Sequence, residues 1–145
     1  MAYTERFEEV HELLAEFDAG ERIPGVWATP WIDVENFHRV VAIFNVGAMD
    51  AGATVDVELR EATSDAGAGA QTLIAATQLT QAGGDANSWI TVGAQSENFT
   101  TNTRYKFVQL QVTVAVNNVN FAACLLGFQP RYAPVVNAWD ENANA

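Results

Sequence analysis

The chain has 145 residues, 49% of them apolar and 17% charged, which is typical of one globular domain rather than of a disordered chain. Its formal net charge of −11 argues against nucleic-acid binding, because phosphate contacts require a basic surface. No apolar run approaches the ~18–20 residues of a membrane span, and MAYTERFEEV has no basic segment followed by an apolar one, so we expect synthesis in the cytoplasm.

The first predicted element is an amphipathic helix from Thr4 to Phe17. Thr4 can cap its N-terminus, and the glutamates of the first turns favour the positive end of the helix dipole. A single helix of about 14 residues is marginal alone, so its apolar stripe must pack on its own domain or on a neighbouring subunit. The pattern leaves both options open, and residues 1–24 form a predicted acidic helical arm. The stripe comprises Phe7, Val10, Leu13, Leu14 and Phe17.

Residues 25–136 predict a mostly β domain, an antiparallel β-sandwich or jelly roll of seven or eight short strands. Because Pro30 lacks the N–H that a central strand needs, the first strand is expected at an edge or in two pieces. The second and third runs, separated by GAMDAG, predict an antiparallel hairpin. The runs with strand character before residue 100 are 25–34, 37–46, 54–61, 71–80 (where Ala75-Ala76 also suits a short helix) and 88–92.

The most regular stretch runs from Arg104 to Phe128. Alternating valines and a leucine precede Asn117-Asn118, which tolerates the positive φ of a two-residue hairpin turn. The return run is apolar in both registers, which predicts a central strand that is covered on both faces. Residues 137–145 are a predicted irregular tail.

The residues that carry chemistry are sparse. Glu8 and His11 lie one helical turn apart, but no second such pair accompanies them, so no metal site is expected. Cys124, the single cysteine, lies in the most apolar run and is interpreted as a buried side chain rather than a nucleophile. Asp56 and Glu58 alternate with apolar residues as a solvated strand face does. We therefore expect neither an enzyme nor a bound cofactor.

Five segments carry a resemblance to a known family, namely NVGAMDAG, TVDVELREATSDAGAGA, TQLTQAGGDAN, RYKFVQLQVTVAV and LLGFQPRYAPV. Through them the chain resembles small virion structural proteins of tailed bacteriophages, of the head-decoration or head-fibre type, over residues 26–136. The resemblance implies a jelly-roll or related sandwich that acts as a homo-oligomer on the capsid exterior, with the major capsid protein or other virion proteins as partners. Residues 1–24 and the WDENANA tail fall outside it and are candidates for docking.

The expected contact residues are apolar anchors near the chain ends, since aromatic side chains are enriched at interfaces. Two alternatives remain open. One is a tail, connector or fibre-associated module, and the other is a carbohydrate-binding sandwich that uses Trp27, Trp31, Trp89 and Tyr105. No nucleic acid and no membrane is expected as a partner. The predicted interface residues are Phe7, Leu14, Phe17, Trp27, Trp31, Tyr132 and Trp139.

Overall fold

The computed structural model describes residues 7–100 and 106–131, which are mostly β-strand. No helix in these ranges is long and apolar enough to cross a membrane. A single helical turn, α1 (Phe7–Val10), precedes the strands, and a short 3-10 helix (Ser96–Asn98) follows the eighth. The strands are β1 (His11–Arg22), β2 (Gly25–Ala28), β3 (Ile32–Asp33), β4 (Phe37–Met49), β5 (Thr54–Ala62), β6 (Gln71–Ala75), β7 (Leu79–Thr80), β8 (Trp89–Gln95), β9 (Phe107–Ala115) and β10 (Val119–Pro130).

Two antiparallel sheets face each other, as the sequence predicted for a sandwich. Sheet A has the strand order β1-β10-β4-β8. Sheet B has the order β2-β9-β5-β6, with β3 also pairing with β9 and β7 also pairing with β5. Strand pairing within each sheet is antiparallel throughout.

The core lies between the sheets, where every second residue of the long strands points inward. In sheet A the ring of Phe44 lies 5.2 Å from the ring of Phe121, and Phe44 is fully buried. Burial of this apolar surface is the main stabilising term of the fold. The inward residues with the least exposure include Ala42, Phe44 and Val46 of β4, Leu125 of β10, Val55, Val57 and Leu59 of β5, and Val108, Leu110 and Val112 of β9.

The predicted helix from Thr4 to Phe17 is wrong beyond its first turn. From His11 onward the chain is strand β1, which pairs with β10 at the edge of sheet A. A register shift lies between Leu13 and Ala15, so the extra residue is accommodated without losing the pairing. Pairing with the edge of β10 satisfies the backbone of β1 and packs Phe17 against the core, a tertiary contact that an isolated helix lacks, and this pairing overrides the helical periodicity.

Both predicted hairpins are wrong, although their strands exist. Strand β4 lies in sheet A and β5 in sheet B, and in the same way β9 lies in sheet B and β10 in sheet A. The turn after β9 contains Val116 at φ 71°, followed by Asn117 and Asn118. In both cases the two consecutive strands lie in different sheets, and their apolar faces meet across the core instead of side by side.

The edge position of the strand around Pro30 is confirmed. Pro30 separates β2 from β3, and both pair with β9 at the edge of sheet B. Buried Thr29 holds the junction, because its N–H donates to Leu110 O at 3.0 Å and its Oγ1 accepts from Leu110 N at 3.0 Å.

Candidate interaction surfaces

The predicted contact residues of the N-terminal segment occupy two different environments. Phe7 is 54% exposed, and its ring stacks on His11 at 4.1 Å between centroids. Leu14 and Phe17 instead pack against the core cluster, and Phe17 meets the edge of Phe121 at 5.6 Å. Phe7 is therefore available at the surface, whereas Phe17 is part of the sandwich itself.

Trp27 and Trp31 lie at the β2–β3 edge of sheet B and are both half-buried. The Trp27 Nε1–H donates to Ile23 O at 3.2 Å, and the guanidinium of Arg22 lies 5.3 Å from the centre of the indole ring. The Trp31 indole rests on Gly67, where an added Cβ would lie 2.5 Å from Nε1. Both indoles thus have structural contacts within the chain.

Two of the predicted contact residues, Tyr132 and Trp139, lie outside the described residues, as do the predicted tail and Tyr105. Among the three described tryptophans named for sugar binding, Trp27 and Trp31 lie at an edge of sheet B, whereas Trp89 begins β8 of sheet A. They do not share one sheet face, so they do not form a single stacking platform.

The outer face of sheet A is apolar. Register pairing aligns outward-pointing residues of β10, β4 and β8 in rows across the sheet. Leu126 at the centre of this face is 7% exposed, the valine and isoleucine beside it are half-buried, and Trp89 at the β8 edge is 71% exposed. The rows are Leu13, Leu126, Val41 and Gly93, then Cys124, Ile43 and Thr91, then Ala122, Asn45 and Trp89.

Acidic residues are missing from this part of the molecule. Strands β4, β8 and β10 contain no Asp or Glu, and Arg39 is their only Lys or Arg, although the chain has 18 acidic residues. The two acids that register places on the outer face are Glu16 and Glu21, both at the β1 edge opposite Cys124 and Asn120. We call the outer surface of β10, β4 and β8 the acid-free face.

The return strand β10 is interior in sheet A, as predicted, but its predicted burial on both faces holds only in part. Ala123 and Leu125 point into the core and are buried, whereas Ala122 and Cys124 on the acid-free face are half-buried. Partial burial raises the pKa of the Cys124 thiol.

The outer face of sheet B carries a hydrogen-bonded polar network instead. Glu58 accepts from Gln111 Nε2 at 3.0 Å and from Thr72 Oγ1 at 2.9 Å. Arg60 Nη1 donates to Gln111 Oε1 at 3.2 Å, which joins a fourth side chain to the same network. Such a face satisfies its polar groups internally and remains well hydrated.

Sheet B also buries one carboxylate, which sequence reasoning did not single out. Glu61 is 1% exposed, and its oxygens accept from Gln71 Nε2 at 2.5 Å and from Thr100 N at 3.1 Å. The Thr100 hydroxyl also donates to it. These bonds fix the end of the loop after β8 against β5. Among the described residues, no group of three or more His, Cys, Asp or Glu side chains is placed to hold a metal ion.

No protein-family model matches the chain, and no curated protein sequence matches it.

Proposed function

We propose that the protein is a non-enzymatic structural protein of a tailed-phage virion, which decorates or stabilises the capsid as an oligomer. The acid-free face of sheet A is the observation that carries the proposal. On this face Leu126 is buried, its apolar neighbours are half-buried and Trp89 at the edge is exposed, and contiguous apolar surface that is partly open to solvent marks interaction sites on soluble domains. In a chain of net charge −11, an acid-free surface is where a partner can bury apolar side chains without desolvating charge.

We further propose that the sandwich is a jelly roll, and the strand order supports this. Counting β2 with β3 as one strand, and β6 with β7 as one, reduces the ten strands to eight. In chain order the sheets then read 1-8-3-6 and 2-7-4-5, so that successive strands alternate between sheets except for strands 4 and 5, which are neighbours in sheet B. Two interleaved Greek keys give this order, and jelly rolls of this kind occur in viral capsid proteins and in lectins. The fold alone does not assign a function, so the proposal rests on the surface.

The two sheets take different roles in this proposal. Sheet A binds the capsid through apolar contacts, and sheet B presents its polar network to solvent. The acidic charge keeps unassembled copies soluble until they bind. The residues that the resemblance left as docking candidates, Phe7 among them, add contacts at the end of the acid-free face, where Phe7, His11 and Phe128 stack.

Co-sedimentation with undecorated capsids across a salt series tests the proposal. We expect binding at a fixed stoichiometry per capsomer that changes little with salt, because apolar burial is not screened. Binding that falls steeply with salt would place the contact on the acidic surface instead. A stable oligomer that never co-sediments with capsids would contradict capsid decoration and favour a tail, connector or fibre position.

A further inference from the structure

The free edge of β8 offers unpaired backbone groups. Strand β8 is the last strand of sheet A, and no described strand lies on its second side. Val46 N donates to Ser88 O at 3.0 Å, which turns the backbone groups of even-numbered β8 residues toward β4. Those of Trp89, Thr91 and Gly93 therefore face outward. The N–H of Gln95, another odd-numbered residue, also points away from β4, because it donates to the Asn98 side chain at 2.8 Å.

The other three sheet edges carry features that prevent strand addition, whereas β8 carries none. Natural proteins protect edges with charges, prolines, bulges or short strands. Strand β1 has two register shifts and acidic side chains, β2 has 4 residues and is followed by Pro30, and the pairing of β6 shifts between Leu59 and Arg60. Strand β8 has 7 residues, no proline, no charge and an unbroken register with β4.

We propose that β8 pairs antiparallel with β8 of a second copy of this chain, across a two-fold axis at Val92. A strand that pairs with itself about a two-fold axis must be antiparallel, and such a contact closes as a dimer. The two copies of sheet A then form one continuous sheet. The inference rests on the proposed function in one respect, because it identifies the contact between the copies of the proposed oligomer. It does not require the capsid.

The register centred on Val92 uses all of β8 and opposes side chains of unequal size. On the outer face Thr91 lies beside Gly93 of the second copy, and on the inner face Ile90 lies beside Ala94 of the second copy. Thr91 and Gly93 are residues whose backbone groups face the edge, so each such pair exchanges both N–H···O bonds. Trp89 falls beside Gln95 of the second copy.

Charge and apolar burial both favour this contact. Like charges opposite each other destabilise a strand pair, and β8 has none even though each copy carries −11. Trp89, which is 71% exposed, gains cover from the second copy, next to Arg39, which is the register partner of Gln95. Ile74 on β6, the last strand of the main order of sheet B, is 40% exposed on the same side of the sandwich and extends the apolar contact. The acid-free faces of the two copies join into one surface twice as wide.

Disulfide formation between cysteine variants tests the proposed register of the β8 pair. With Cys124→Ser as background, Val92→Cys places two thiols on the axis, where Cα atoms of a non-hydrogen-bonded pair lie about 4.5 Å apart, within reach of a disulfide. Ala94→Cys is the matched control, because its copies lie about four residues, or ~13 Å, apart along the strands. We expect a covalent dimer from Val92→Cys alone under oxidising conditions. A dimer from Ala94→Cys, or from neither variant, would overturn the proposed register.

Sedimentation equilibrium of the full chain tests the pairing itself. Thr91→Pro removes an N–H that faces the edge rather than β4, and Thr91→Val keeps that N–H. We expect a dimer that Thr91→Pro weakens roughly 30-fold, since about two hydrogen bonds are lost at ~1 kcal/mol each, and that Thr91→Val leaves unchanged. A wild-type monomer at every concentration tested would overturn the pairing. So would a monomer whose Thr91 and Gly93 amides are protected from exchange, because a segment of the same chain would then occupy the edge.

Capsid co-sedimentation of the same proteins separates this inference from the proposed function. A wild-type monomer that still binds capsids contradicts the β8 pairing and leaves the decoration role standing. A β8-linked dimer that does not co-sediment with capsids supports the β8 pairing and contradicts the decoration role.

Discussion

The outer faces of the two sheets differ, although their inner faces are built alike. On sheet B, Glu58, Arg60 and Gln111 bond to one another. On sheet A the equivalent outward positions hold Val41, Ile43 and other side chains that leave no acid on three adjacent strands. Core packing requires only the inner alternation, so it does not explain an apolar outer face. The difference supports our proposal that sheet A associates with partners and sheet B faces solvent.

The largest expected effect is a loss of stability when the core between the two sheets is disrupted. Phe17→Ala removes a ring packed against Phe121, and we expect the free energy of unfolding to fall by about 3 kcal/mol. Phe7→Ala is the control, with an expected loss below ~0.5 kcal/mol because Phe7 is 54% exposed. Urea denaturation measures both. Equal losses would contradict the assignment of β1 to the core of sheet A.

The next largest effect is a difference in stability loss between substitutions on the inner and outer faces of sheet B. Glu61→Ala removes the acceptor of the Thr100 N–H and one of the two acceptors of the Gln71 amide, and we expect a loss of about 2 kcal/mol. Glu58→Ala, on the solvent side of the same strand, should cost at most about 1 kcal/mol, because water can replace its partners. Thermal or urea unfolding compares the two. A larger loss at Glu58 would show that the polar network, and not the buried carboxylate, stabilises sheet B.

A pair of opposite substitutions tests the outer faces directly. Ile43→Thr puts a hydroxyl on the acid-free face, and we expect capsid affinity to fall roughly 10-fold, as for a contact worth ~1.4 kcal/mol. Thr113→Val makes the reverse change on sheet B, where Thr113 aligns with Asp56, and should leave capsid affinity unchanged. Co-sedimentation titrations give both affinities. Loss of binding from Thr113→Val alone would reverse the assigned roles of the sheets.

The smallest effect is a pH dependence centred on Cys124. Burial raises the pKa of this thiol, so the folded protein favours the neutral form. The resulting stability is fully present below the pKa of the unfolded cysteine and is lost as pH rises through the folded pKa. We expect the urea midpoint of the wild type to fall slightly more than that of Cys124→Ala in this alkaline range. Parallel midpoints would contradict desolvation on the acid-free face.

Much of the fold follows from the sequence, because strand alternation and turn residues are local signals. The strands around Val57, Leu110 and Leu125 and the break at Pro30 were found in this way. The pairing partners of the strands were not predicted correctly. The same alternation fits two strands that pair as a hairpin and two strands that lie in different sheets. The segment around Phe17 was misread because a bulged strand can mimic helical spacing.

The acid-free face was also missed, because it is formed by three strands distant in the chain. Each strand alone reads as an apolar run, and only their register brings Ile43, Cys124 and Thr91 into one row. A usable signal was present, however. Val119 to Pro130 contains no charged residue in a chain with 18 acids, and outward positions of a solvated strand normally carry some.

Hydrogen–deuterium exchange at low and high protein concentration tests the central claim most directly, because it reads every sheet edge in one experiment. If sheet A is the associating sheet, amides of β8 at Thr91 and Gly93 become more protected as concentration rises, whereas β2 and β6 exchange at the same rate throughout. Concentration-dependent protection of β2 or β6, with β8 unchanged, would contradict the account and make sheet B the associating side.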